Sequence, residues 1–232
     1  MVVEALLLVI GGYLLGSIPT SYLAGRWLKG VDVRRYGSGT ASGSMVFEHV
    51  ARWAVVPVGL FDIGKAALPT WLGLQLGLGM TVAAAAGMAA VAGHNWPIFL
   101  RFSGGRGQST FVGVLLVLFP WGCVWLIGFL AVGFLLGDSA PWALAGLVTL
   151  PLFAHLVGGP EVIAPVTGAM LLLTLAKRLE ANRRPLPPPG AERLNVMLRR
   201  CFLDRDIASH KDWIRRKPES TGDAHDESSA EN

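Results

Sequence analysis

The sequence predicts an all-α, polytopic membrane protein of about seven transmembrane helices, followed by a cytoplasmic amphipathic tail. Three observations carry that prediction. Hydrophobic residues make up 52% of the 232 positions and charged residues only 16%, where a soluble domain carries roughly 25% charge. The apolar residues fall in runs of the length a spanning helix needs, about 20 residues. The charge is displaced to the end: residues 177–217 hold 12 basic and 5 acidic side chains, and residues 218–232 hold 5 acidic and no basic ones. Such a composition excludes a disordered chain, and two cysteines exclude a disulfide scaffold.

The first run, Val2 to Ala24, has Glu4 near its start and no basic lead-in, so it is expected to be a retained helix and not a cleaved signal peptide. Trp53 to Leu74 forms the second run, and Gly79 to Val91, extendable to Leu100, the third. Residues 108–136 exceed one span and contain Phe119-Pro120-Trp121-Gly122. Proline breaks a helix at the preceding residue, and tryptophan favours the membrane interface. Runs 139–157 and 161–176 complete the set. A break at Pro120 gives seven spans and puts the basic connections (26–52, 101–106 and 177 onward) on one side. The positive-inside rule then places the N-terminus outside and the tail in the cytoplasm of a bacterial inner membrane. One span is left with about 13 residues, roughly 20 Å of helix.

Residues 1–178 are expected to form the membrane domain. A basic segment follows over 179–217, and 218–232 are expected to be disordered. Pro185-Leu-Pro-Pro-Pro-Gly190 is a stiff linker. After it Leu194, Met197, Leu198, Cys201 and Phe202 recur at helical spacing among Arg193, Arg199, Arg200 and Arg205. This pattern suits an amphipathic helix on the inner leaflet, drawn to anionic lipids, or an ordinary docked helix. The apolar body favours lipid over nucleic acid as partner.

Three segments carry chemistry. In Asp32-Val-Arg-Arg-Tyr-Gly-Ser-Gly-Thr40, Arg34 and Arg35 supply fixed positive charge. Gly37 and Gly39 let the backbone approach a ligand, and the Ser38 hydroxyl lies between them. Exposed N–H groups beside arginines suit a phosphate; a plain positive-inside turn has the same composition. In Gly93-His-Asn-Trp-Pro-Ile-Phe-Leu-Arg-Phe-Ser-Gly-Gly-Arg-Gly-Gln-Ser-Thr110, the glycines Gly104, Gly105 and Gly107 bracket Arg106. Gln108, Ser109 and Thr110 then open an apolar helix. A helix start with a nearby cation is an anion site, although an interfacial turn has the same ingredients. His94 alone is weak evidence. Within the second run, Asp62 and Lys65 stand at i, i+3, the spacing of a pair on one helix face. His49 and His155 lack clustered partners, so no metal site is assigned.

At these residues the sequence resembles the acyl-phosphate-dependent glycerol-3-phosphate acyltransferase family of bacterial membranes. The matching stretches are Gly16-Ser-Ile-Pro19 with Tyr22, Gly30 to Gly39, Asp62-Ile-Gly-Lys65 and Gly93 to Gly107. A looser match runs from Asn182 to Gly190-Ala-Glu192. The resemblance implies transfer of a fatty acyl group from acyl phosphate to the 1-hydroxyl of glycerol 3-phosphate. The products would be lysophosphatidate and phosphate, with no cofactor and no coenzyme A. It implies Ser38, Arg34, Lys65 and Arg106 as catalytic candidates. The substrate-binding candidates are Gly37, Gly39, Thr40, Asp62, His94, Gly104, Gly105, Gly107, Gln108, Ser109, Thr110, Asn182 and Glu192.

The sequence also departs from the family pattern. Thr40-Ala-Ser-Gly-Ser-Met45 replaces a segment with two asparagines, and Glu48 stands where an arginine is expected. Arg106 replaces a lysine, which keeps the charge but changes its geometry. Leu179-Glu-Ala-Asn182 lacks the usual His-Arg. These changes leave open a same-fold acyltransferase with another acceptor, or a silent lipid- or anion-binding membrane protein.

Overall fold

The computed structural model describes residues 1–181 and 184–217. The expectation for 218–232 and the candidate Asn182 therefore lie outside the described residues. Within them the chain is all-helical: α1 (Val2–Gly16), α2 (Thr20–Lys29), α3 (Gly43–His49), α4 (Val55–Gln75), α5 (Met80–Asn95), α6 (Gln108–Leu118), α7 (Pro120–Leu135), α8 (Ser139–Leu156), α9 (Ile163–Glu180), α10 (Ala191–Leu203) and α11 (His210–Arg215). By length and composition, three stretches are fit to cross a membrane: Val2–Lys29, Arg52–Gln75 and Ser139–Leu156. Gln108–Leu118 and Pro120–Leu135 are shorter apolar helices.

Proline decides two of the breaks. Phe119 leaves helical geometry (φ −157°, ψ 82°) and Pro120 opens α7, so the 108–136 run divides where the sequence predicts. The first run is also divided, which the sequence reading did not expect. Pro19 (φ −93°, ψ 72°) separates α1 from α2 because the residue before a proline is driven out of the α region. Pro69 and Pro151 instead lie inside α4 and α8, a position that neighbouring helices make tolerable in a membrane.

Helices α1, α4, α5 and α6 pack on one another; α7 and α8 form a hairpin beside them, and α9 bridges α8 to α5. Close approach sets the α1–α5 contact. A methyl group on Gly16 would overlap the Ala90 backbone, and one on Gly93 would overlap Tyr13 and Ser17. Small residues at such crossings let two backbones touch. Phe111, Leu115, Leu126, Leu147, Leu150 and Met170 fill the core. Leu6, Ile10, Leu60, Leu152 and Leu172 are exposed on the outside, as a surface against hydrocarbon requires.

The tail is a docked helix. α10 packs on α8 and α9 through Val196 and Arg200. Arg200 donates to the carbonyls of Leu179, Arg184 and Pro185. Arg178, at the end of α9, donates in return to the carbonyls of Cys201 and Phe202, and to that of Ala140. Leu194, Leu198 and Phe202 remain exposed along α10.

Candidate functional site

The polar connections converge at one end of the bundle. Asp32 caps the 3-10 turn Val33–Arg35 by accepting from the Arg34 N–H at 3.0 Å, and its carboxylate is held by the Arg34 guanidinium at 3.0 and 2.8 Å. Burial pushes the Asp32 carboxyl up, but the hydrogen bonds and charge of Arg34 outweigh it and hold the group below its usual range. Arg34 also donates to the Leu100 carbonyl and lies over the Tyr22 ring. It ties the loop to its neighbours and lines neither cavity described below.

Gly37 and Gly39 both take positive φ, 46° and 72°, a region that favours glycine. The turn presents a short hydroxyl chain. Ser38 Oγ lies 2.6 Å from Thr40 Oγ1, and Thr40 Oγ1 lies 2.9 Å from Ser42 Oγ. Ser38 and Thr40 are both buried.

The second turn begins where Trp96 leaves α5. Arg101 and Phe102 are both left-handed (φ 52° and 64°), an uncommon geometry for bulky residues. Gly104 and Gly105 then lie flat on His94. The Gly105 N–H donates to the His94 carbonyl at 3.0 Å, and a methyl group on Gly105 would overlap the imidazole. Gly107 caps α6, and its carbonyl accepts from the Phe111 N–H and the Thr110 hydroxyl. The first-turn N–H groups of α6, which include those of Gln108 and Ser109, have no partner within the helix. Both amide atoms of Asn95, and the Gln108 side-chain oxygen, are buried without a hydrogen-bond partner among the described residues. The two turns meet: the Ala41 N–H donates to the Gly104 carbonyl at 3.1 Å.

Below this junction lies a buried polar cluster. Asp62 Oδ1 accepts from the Thr20 hydroxyl at 2.6 Å, pairs with Lys65 at 2.8 Å and lies 3.6 Å from His94 Nδ1. Lys65 also donates to the Ile18 carbonyl at 3.0 Å. Lys65 and His94 line a cavity of about 10 Å³ together with Ser17, Ala41 and Gly104. The break at Pro19 is what brings Thr20 and the Ile18 carbonyl to this cluster. Sequence reasoning missed Thr20, although the proline beside it was a usable signal.

Ser38 and Arg106 border a second cavity, of about 10 Å³, that the sequence reading did not foresee in full. Arg106 donates to the Lys177 carbonyl at 2.6 Å and pairs with Asp204 at 3.0 Å. Arg184 donates to the Gly37 carbonyl at 2.8 Å. Arg178, Arg200, Asp206 and Trp213 complete much of the lining. These come from the chain's last quarter, where no local motif marks them. Of the remaining candidates, Glu192 is exposed in the first turn of α10 and lines neither cavity. The other candidates within the described residues gather around the two turns and the cluster beneath them.

A family model for glycerol-3-phosphate acyltransferase matches residues 6–186. Glycerol-3-phosphate acyltransferase 5 of Dehalococcoides mccartyi is 35% identical over 219 residues, covering 91% of this chain and 93% of that protein. Glycerol-3-phosphate acyltransferase of Synechococcus sp. strain CC9902 is 38% identical over 169 residues, covering 73% and 80%. The fold is similar to a crystal structure of PlsY (YgiH), an integral membrane glycerol 3-phosphate acyltransferase, in its glycerol 3-phosphate form. The TM-score is 0.69 and the identity 28%, over 78% of this chain and 91% of that one.

Proposed function

The chain belongs to the glycerol-3-phosphate acyltransferase family, and from that premise we propose how its residues divide the work. It is an integral membrane enzyme that acylates glycerol 3-phosphate for phospholipid synthesis. Its acyl donor is an acyl phosphate. The C1 hydroxyl oxygen attacks the acyl carbonyl carbon, and the bond from that carbon to the phosphate oxygen breaks. The electron pair leaves with phosphate, and the hydroxyl proton ends on phosphate. The donor is already activated, so positioning two anions and countering the developing oxyanion can supply most of the catalysis.

Ser38 orients the attacking hydroxyl, with Thr40 and Ser42 relaying its hydrogen bond. Arg106 and the N-terminus of α6 hold phosphate oxygens. Lys65, fixed by Asp62 and lining one cavity with Gly104, counters charge on the membrane side. Arg34 is a positioning residue that sets the Gly37–Gly39 turn through Asp32. The acyl chain lies between spans. The basic connections and the tail face the cytoplasm, seven spans cross the inner membrane, and the exposed side of α10 meets anionic lipid.

The supporting observation is the meeting of the two glycine turns, with Ser38 and Arg106 on one cavity. The test gives purified protein acyl phosphate with and without glycerol 3-phosphate, and follows released phosphate and lipid product. Release that depends on glycerol 3-phosphate is the expected result. Release only with a different acceptor, or none, overturns the assignment. An Arg106→Ala variant with full activity removes Arg106 from it.

A further inference from the structure

Asp204, Arg205, Asp206 and Trp213 of this same chain line the cavity beside Ser38. Asp204 follows α10 and pairs with Arg106 at 3.0 Å. Two residues on, Asp206 lies 3.6 Å from Arg184 and hydrogen-bonds both terminal nitrogens of Arg216. The Gly37 N–H, which opens the first glycine turn, donates to the Arg216 carbonyl at 2.8 Å. One N–H of the site is thus taken by an oxygen of residues 204–216, and two arginines face carboxylates there as ion pairs, with Arg184 Nη1 left without a hydrogen bond among the described residues. The family model ends at residue 186, while the Dehalococcoides relative aligns over 91% of the chain and so reaches into this segment.

Arg184 sits at the centre of the arrangement. It donates to the Gly37 carbonyl, and its guanidinium lies 3.1 Å from where a methyl group on Gly39 would stand. Arg200, almost fully buried on the same cavity, has its Nε without a hydrogen-bond partner among the described residues. Burial and the adjacent Arg216 charge push the Arg184 guanidinium below its usual range, so a further anion would be bound there with gain. The cavity volume is about 10 Å³, far below the roughly 300–1,000 Å³ of ligand sites. Substrate enters only if something leaves.

We propose that Arg184 is a further substrate-binding residue, which with Arg106 and Ser38 takes the phosphoryl dianion of a substrate, and that Asp204 and Asp206 are internal stand-ins which that dianion displaces. The proposal rests on the acyl-transfer assignment above. Two carboxylates together carry the charge of a phosphoryl dianion, and arginine forks suit either. The dianion belongs either to glycerol 3-phosphate or to acyl phosphate.

The sign of two substitutions tests this. Arg184→Gln raises KM for the substrate whose phosphate it binds by roughly tenfold or more, and Arg184→Lys recovers part of it. Asp206→Asn, which removes the competing charge, lowers the same KM by about threefold. The substrate whose KM responds identifies the source of the dianion. If Arg184 and Asp206 only tether the segment, both substitutions loosen it and move KM in the same direction; that result overturns the proposal, as does an unchanged KM for both substrates. Calorimetric titration of the full-length variants with glycerol 3-phosphate and with inorganic phosphate, donor absent, reads the site independently of turnover. Arg184-dependent binding in a protein that transfers no acyl group would defeat the acyl-transfer assignment and leave the site standing. Active enzyme with Arg184-independent binding and KM would do the reverse.

Discussion

Asp62 and Lys65 are buried to within 3% and 1% of full side-chain enclosure, one helical turn apart in α4. Removing one member of such a pair strands the other, at about 3–5 kcal/mol, whereas removing both is often close to neutral. Asp62→Asn should therefore lower the unfolding midpoint in detergent strongly, and Asp62→Asn/Lys65→Met should recover most of it. Acyl transfer should stay lost in the double variant under the role proposed for Lys65, countering charge on the reacting groups. Recovery of activity along with stability would make the pair structural only. At Gly105 a methyl group meets the His94 ring, and overpacking of this kind costs about 1–3 kcal/mol. Gly105→Ala should lower the melting temperature and reduce acyl transfer, by moving His94 away from Asp62. The sequence revealed both places, since an ionisable pair in an apolar run and a glycine-flanked arginine are local signals. It did not reveal that His94 joins them, because Asp62 and His94 are brought together only by the packing of α4 on α5.

Among the elements, the same proline rule succeeded at Pro120 and was overlooked at Pro19. Tryptophan and excess length drew attention to the first, while the uninterrupted hydropathy of Val2 to Ala24 concealed the second. Pro69 and Pro151 show why proline alone does not settle a boundary: both lie inside intact helices. The α1–α5 crossing gives a direct test of close packing. Gly16→Val forces the Ala90 backbone away, and α1 should separate from α5 at a cost of about 1–3 kcal/mol or more, read as a lower unfolding midpoint. The segment after α10 has its own signature in acid. Burial raises the Asp206 carboxyl, but the hydrogen bonds and charge of Arg216, with the charge of Arg184, more than offset this and keep it below the ordinary 3.8. A carboxylate depressed in the folded state contributes stability that is complete above its unfolded value and lost as pH falls through the lowered one. Hydrogen-exchange protection over α10 and α11, corrected for the intrinsic pH dependence of amide exchange, should thus be constant down to about the ordinary carboxylate range and fall only below it. Loosening at neutral pH would remove Asp206 from the docking.

For the molecule as a whole, composition made the fold class legible and charge made one polar end legible, but the closing of that end was not. Arg106 and Asp204 are 98 positions apart, and nothing near either residue names the other. The arginines set among apolar residues in the basic tail suit either lipid or a docked helix; of them Arg200 holds the carbonyls of Leu179, Arg184 and Pro185 and Arg205 pairs with Asp138. Docking and lipid contact are compatible, since Leu194, Leu198 and Phe202 still face outward. The proposed orientation rests on the same charges, and the chain carries its own reporters. Cys201 is a partly exposed free thiol on α10, whereas Cys123 is a buried free thiol in α7. With the basic end in the cytoplasm, a membrane-impermeant maleimide should leave intact cells unlabelled and modify one thiol in inverted vesicles. A Cys201→Ser variant should abolish that signal, and Cys123 should react only after unfolding. Labelling of Cys201 in intact cells would put the phosphate-binding end outside, away from the cytosolic pool of glycerol 3-phosphate, and would reverse the orientation of every span.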